Sequence, residues 1–222
     1  MAIDYLGIYN DITGQAWSMF DSEVEDSGEF ETAVTTSIQK ALGELWCSYK
    51  FPFREKEYSF ETASGENGYE TPNGKIIKNV IGGKEYYAIK LDGELLSYNP
   101  ACALLSSQEG KPEQFYLKGE RIYLYPTPDD VYTVNLDYLS ILPVKDEDDN
   151  EKATFENDTD YIDIPEKYER YFKNCLMPLA MMYTIAALSD ENYSAYKEQY
   201  EKAYKILIDM VSGIETDKRI GW

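Results

Sequence analysis

The sequence predicts an α+β fold: a three-helix bundle, built from one N-terminal helix and a C-terminal helical hairpin, with an antiparallel β-rich domain inserted between them. Three observations carry this. Apolar residues recur at helical spacing over residues 29–49, short strand-like runs broken by turn residues fill 54–143, and two long amphipathic stretches follow Pro165. At 222 residues the chain is long enough to bury a substantial core without disulfide or metal staples.

Residues 1–28 form an acidic N-terminal arm with no steady period, in which Tyr5, Tyr9, Trp17 and Phe20 stand among Asp11, Asp21, Glu23, Glu25 and Asp26. Two readings apply, a solvated terminus or an arm whose aromatics dock on a neighbouring subunit. Residues 29–53 hold the first helix. Val34, Ile38, Ala41, Leu42, Leu45, Trp46 and Tyr49 share one face, and Phe51-Pro52-Phe53 ends it because proline disfavours helix in the residue before it.

The β-rich domain, residues 54–143, predicts strands over 55–62, 74–81, 86–91, 94–98, 114–118, 121–125 and 131–139. Asp92-Gly93 is the strongest hairpin signal, and Lys118-Gly119-Glu120 is a second. Residues 99–108 read as a short inserted helix with Pro100 at its first position. An acidic loop occupies 144–163. The hairpin of helices spans 164–213, with Pro178 expected to kink its first member, Ser189 capping the second and Gly213 ending it. A polar tail, 214–222, closes on Trp222.

Composition excludes much chemistry. There is no histidine, so Ser-His-Asp and Cys-His sites are ruled out, and any activity would rest on carboxylates, Lys or Tyr. Cys47, Cys102 and Cys175 lie far apart with no CxxC, giving neither a zinc motif nor a disulfide framework; they read as reduced and mostly buried. No catalytic residue, cofactor or metal is expected. No apolar run of membrane-spanning length or signal-peptide pattern occurs.

The net charge of −20 is uneven: residues 1–31 carry eight acids and no base, and residues 144–163 carry nine acids against two bases. Such a surface repels phosphate, so specific DNA binding is not expected.

The residues Ile38-Gln39-Lys40-Ala41-Leu42-Gly43-Glu44-Leu45-Trp46, leading into Phe51-Pro52-Phe53, resemble the opening of short-tailed phage head-to-tail adaptor, or tail accessory, proteins. Arg121-Ile122-Tyr123-Leu124-Tyr125-Pro126-Thr127-Pro128-Asp129-Asp130 and the following Tyr132-Thr133-Val134 are similar to that family's central hairpin. Ile164-Pro165-Glu166-Lys167-Tyr168 and the tyrosine-rich last helix are similar to its C-terminal helices. The match runs in order over residues 34–211. The acidic start precedes the family's usual beginning, and the β-rich middle is longer than in its smallest members.

The resemblance implies a structural virion protein without enzymatic activity. It would be a homo-oligomeric ring, usually of twelve, that binds beneath the portal, extends the DNA channel and joins capsid to tail after assembly in the host cytoplasm. The Lys- and Tyr-rich acidic composition also suits a ring protein of a crAss-like phage. A lower tail-ring or tail-tube subunit is the alternative. From another class, a carboxylate-based cell-wall-degrading tail enzyme needs only two suitably spaced acids, and a monomeric binding module is a third reading. On the ring reading, Asp146, Glu147, Asp148 and Asp149 are candidate channel-facing acids that would let DNA slide without binding; the alternative leaves them solvated outside. Trp17, Phe20, Ile220 and Trp222 are candidate intersubunit anchors. The acidic loop fits a calcium-binding EF-hand poorly, since its sixth position is Glu151 and its twelfth Asn157.

Overall fold

The chain alternates between sequence that can bury a helical stripe and sequence that can bury one face of a strand, and the computed structural model follows that division. It describes residues 3–17, 19, 28–81, 83–105, 108–188 and 193–219, with only the backbone of 81, 84 and 214–219. The fold is α+β, with four helices and several antiparallel sheets among the described residues. Two units result: unit 1 comprises Met1–Phe53 with Leu142–Trp222, and unit 2 comprises Arg54–Ile141.

In unit 1 the first helix lies where none was expected. Helix α1 (Tyr5–Trp17) starts at Asp4, whose Oδ1 accepts the Gly7 backbone N–H at 2.6 Å, satisfying one of the free donors of the first turn. Its Ile8, Ile12 and Ala16, four residues apart, are fully buried. Helix α2 (Gly28–Cys47) buries Phe30, Val34, Ile38, Ala41, Leu42, Leu45 and Trp46. Helix α3 (Glu166–Leu188) runs without a break through Pro178, and α4 (Ser194–Arg219) continues past Gly213. A mid-helix glycine costs only about 1 kcal/mol relative to alanine, which the residues around it outweigh. Ser189, the expected cap, lies outside the described residues.

Helix α3 packs on both α2 and α4, and α1 packs on α2 and α3. The turn after α2 completes the core with aromatic rings. Phe51 and Phe53 stack at 4.9 Å, and Phe172 of α3 meets Trp46, Phe51 and Phe53 edge-on at 6.3, 6.2 and 6.1 Å.

Unit 2 follows the predicted strands closely. β1 (Glu55–Glu61), β2 (Gly68–Glu70), β3 (Gly74–Ile76), β4 (Lys78–Ile81), β5 (Lys84–Tyr87), β6 (Ile89–Leu91), β7 (Glu94–Leu95), β8 (Ser97–Tyr98), β9 (Gln114–Lys118), β10 (Arg121–Tyr125) and β11 (Thr133–Ser140) succeed one another. One sheet has the order β1-β11-β6-β7, with β3 also on β11; a second has the order β2-β10-β9-β8; β4 and β5 form a separate hairpin. Ile89, Leu91, Phe115, Ile122, Leu124, Val134 and Leu136 make the core of this unit. The turn at Asp92-Gly93 has φ of +48° and +86°, the primed geometry that its sequence favours. The helix expected at 99–108 is a 3-10 segment, Pro100–Leu104, capped by the Asn99 side chain, which accepts the Ala101 N–H at 3.1 Å.

Candidate functional site

The acidic stretch 144–163 is an ordered structure of its own. Val144, Phe155, Ile162 and Ile164 are buried in the unit 1 core, and these anchors turn the intervening acids into a small sheet. β12 (Val144–Lys145) pairs with β13 (Glu151–Lys152) on one side and β14 (Tyr161–Ile162) on the other. The start of the chain adds to the free side of β14. Asp4 bridges Tyr161, the Ile162 N–H donates to the Ile3 carbonyl, and the Tyr5 N–H donates to the Asp160 carbonyl, both at 3.0 Å.

Lys152 organises the charges. Its ammonium lies 3.2 Å from Glu156, 3.3 Å from the wholly buried Asp160 and 3.7 Å from Asp146. Asp160 Oδ2 also accepts the backbone N–H groups of Glu156 and Asn157 at 2.7 and 3.0 Å. Burial is the largest influence on the Asp160 carboxyl and pushes its pKa up, but these two N–H donors and Lys152 together outweigh it and hold it below the usual range. Desolvation likewise opposes the charged form of Lys152, and its acidic partners overcome this, raising its pKa. Lys152 thus takes the central place that a cation would need. Among the described residues no cluster of His, Cys, Asp or Glu is arranged to hold a metal.

The four candidate channel acids divide into two pairs. Asp146 Oδ1 accepts the backbone N–H groups of Asp148 and Asn150 at 3.0 and 2.9 Å, and the Asn150 hydrogen bond leads the interactions that hold its pKa low. Asp149 accepts the Tyr161 hydroxyl at 2.6 Å, an interaction that pushes Tyr161 up to about 12, and lies 3.8 Å from Lys145. Glu147 and Asp148 are exposed, with no side-chain hydrogen bond or ion pair among the described residues. Their charge is free to act outward.

Of the candidate anchors, Trp17 ends α1 at 55 % exposure, on the side away from Ile8, Ile12 and Ala16. Phe20, Ile220 and Trp222 lie outside the described residues. The cysteines are mostly buried, as expected. Cys102 and Cys175 are buried, and burial pushes Cys175 up to about 12, but Cys47 is exposed at the end of α2, facing away from the stripe that packs. All three are free thiols.

A groove of about 660 Å³ runs between the start of α2 and the end of α3. Small residues line it, including Thr32, Ala33, Thr36, Ala186 and Ala187, and Glu29 is the one carboxylate among the described lining residues. The described helices include none long and apolar enough to cross a membrane.

Sequence comparison then decides the family. The family described as SU10 adaptor protein matches residues 9–219, which is nearly the whole chain and both units. The chain belongs to this phage adaptor family. The family is one of structural phage proteins and implies a component of the virion that interacts with other phage head and tail proteins, in agreement with the resemblance read from the α2 and β10–β11 sequences. A search of curated proteins found no match. The match begins within α1, so the SU10 adaptor pattern includes most of the helix that the sequence reading left as an arm.

Proposed function

We propose that this adaptor is the subunit of a closed ring, usually of twelve copies, beneath the portal, where it extends the DNA channel and connects capsid to tail. The observation that carries the reading is the adaptor-family match over residues 9–219. The charge distribution supports it, because a channel for DNA must not bind what passes through, and a carboxylate-rich lumen repels phosphate. Glu147 and Asp148 are the acids of the ordered turn placed on the channel, with Asp146 and Asp149 holding that turn in shape. Trp17 and Phe20 from one end of the chain, and Ile220 and Trp222 from the other, act as intersubunit anchors; Trp17, exposed at the end of α1, offers large aromatic contact area at little entropic cost. Assembly takes place in the host cytoplasm.

The test is electron microscopy of the purified protein, alone and mixed with portal rings. A regular second ring beneath the portal is expected, with Glu147 and Asp148 on its inner wall. Rings that form only on other tail components move the protein to a lower tail ring. Acids on the outer wall remove their role in the channel.

A further inference from the structure

A ring requires a heterologous interface, in which two different surfaces of the same chain recognise each other. Unit 2 carries two such surfaces at opposite edges of one sheet. In the order β1-β11-β6-β7, with β3 also on β11, β1 is the strand at one edge and β7 the strand at the other. Three strand spacings put them roughly 14 Å apart.

Alternation decides which residues share the outer face. On β1, Lys56, Tyr58 and Phe60 are half-buried, and the two aromatic residues pack on the unit 2 core, so Glu55, Glu57, Ser59 and Glu61 point the other way and are exposed. The register carries that face across the sheet. Ser59 lies opposite Asn135, Asn135 opposite Lys90 and Lys90 opposite Leu95, while Glu55 lies opposite Leu139 and Leu139 opposite Lys75. One face therefore carries three glutamates along the β1 edge, and Lys75, Lys90 and the 45 % exposed Leu95 towards the other.

None of Glu55, Glu57, Glu61, Lys75 and Lys90 makes an ion pair or a side-chain hydrogen bond among the described residues. The acids nearest the lysines are engaged elsewhere: Glu94, opposite the buried Leu91, lies 3.5 Å from Lys111, and Asp92 accepts the Thr133 N–H at 3.0 Å. Glu57 stands directly opposite Asp137, a like-charged pair that works against the sheet. Acids on an edge strand also blunt it against indiscriminate pairing, but one sign at both edges does that best, because like edges repel. Opposite signs at the two edges instead favour a second copy in head-to-tail order. Within one copy the two edges are farther apart than the screening length of roughly 8 Å at physiological salt, so they do not neutralise each other. We infer that the β1 edge of one copy docks against the β3 and β6–β7 edge of the next copy, setting Glu55, Glu57 and Glu61 against Lys75 and Lys90 around Leu95. The inference rests on the ring reading and names the two surfaces that close it.

The experiment uses two full-length variants, E57K/E61K and K75E/K90E, separately and mixed, with assembly on portal rings followed by electron microscopy. Each variant alone sets like charges against each other and should raise the concentration for half-assembly about tenfold. The equimolar mixture should restore assembly, because the altered edge of each variant meets an edge of opposite sign on the other, giving a ring in which the two alternate. Misfolding of either variant cannot produce that rescue. Independently of the variants, carbodiimide joins carboxylates to amines in contact, and in wild-type rings built from two isotopically distinct pools it should link Glu57 or Glu61 of one copy to Lys75 or Lys90 of another. Variants that assemble like wild type, a mixture that assembles no better than its parts, or wild-type links that lie elsewhere overturn the edge contact and leave the ring standing. A wild-type chain that forms no ring under these conditions overturns the ring reading and this inference together.

Discussion

Unit 1 carries 12 bases and 27 acids, while unit 2 carries 9 bases and 14 acids. Three-quarters of the protein's excess negative charge therefore belongs to the helical unit, whose core links Trp46, Phe51, Phe53, Tyr168 and Phe172 in a connected set of ring contacts. Unit 2 is nearer balance, and it gathers four of its lysines within residues 74–90. Net charge of this kind governs association and solubility more than fold. The difference teaches that the acids have been kept off the folding problem: each unit has its own apolar core, and the described acid drawn wholly inside is Asp160.

The strongest way to break this comparison is to damage one core and ask whether the other notices. Phe172→Ala removes the ring that meets Trp46, Phe51 and Phe53, and should cost about 3–5 kcal/mol. Hydrogen exchange should then show lost protection across α2 and α3, with β9 and β10 retained. Equal loss in both units would mean that they unfold as one cooperative block.

A smaller effect is expected from Asp160→Asn. The amide keeps one acceptor for the Glu156 and Asn157 N–H groups but removes the charge that faces Lys152, at a cost of about 1–3 kcal/mol. Loss should be concentrated at the Tyr5 and Ile162 amides, which tie the start of the chain to β14. The pH dependence of the wild type follows from the same contacts. Asp146 and Asp160 have depressed pKa values in the fold, so their contribution is complete above the unfolded carboxylate value of about 3.9 and is lost as pH falls through the folded values. Lys152 is raised, so its contribution is present below about 10.4 and is lost only as pH rises beyond its folded value. Protection of the Tyr5 and Ile162 amides should therefore be flat near neutrality and fall in acid before the α2–α3 core opens.

Unit 2 was the more legible in sequence, because its turns announce themselves chemically. Asp92-Gly93 and Gly119 needed positive φ and obtained it, and 114–118 and 121–125 are strands at the predicted bounds. In unit 1 the α2 stripe was equally plain, but α1 was missed. Its buried stripe is only Ile8, Ile12 and Ala16, and the aromatic residues around it, Trp17 among them, masked that period. The sheet of 144–163 was hidden for another reason: strands of two residues carry no period, and the pairing of Lys152 with Asp146 and Asp160 depends on a chain reversal that composition does not encode. The family was readable because it rests on ordered motifs in α2, β10, β11 and α3, while the site residues at 20 and 220–222 lie outside what the structure describes.

Gly93→Ala sharpens the comparison from the side of unit 2. At φ +86° a side chain is strained, and the substitution should cost about 1–2 kcal/mol, read as a lower denaturation midpoint. Nothing lies within 4 Å of the added Cβ, so the loss reports the backbone alone. Exchange should rise at β6 and β7 and leave α1 to α4 unchanged.

The smallest expected effect on stability bears most directly on function. Glu147 and Asp148 are exposed and unpaired among the described residues, whereas their neighbours Asp146 and Asp149 bond Asn150 and Tyr161. E147Q/D148N should therefore shift Tm by no more than about 2 °C, and D146N, which weakens the hydrogen bonds shaping the turn, should shift it more. If the two free acids are held outward for their charge, the double variant should assemble normally but retain duplex DNA that the wild-type ring releases, most visibly at low salt where phosphate contacts are strongest. An unchanged DNA response would separate the turn from the channel. A large stability loss would instead show that the helical unit uses these acids to fold, and that its charge is not the independent layer that the contrast with unit 2 implies.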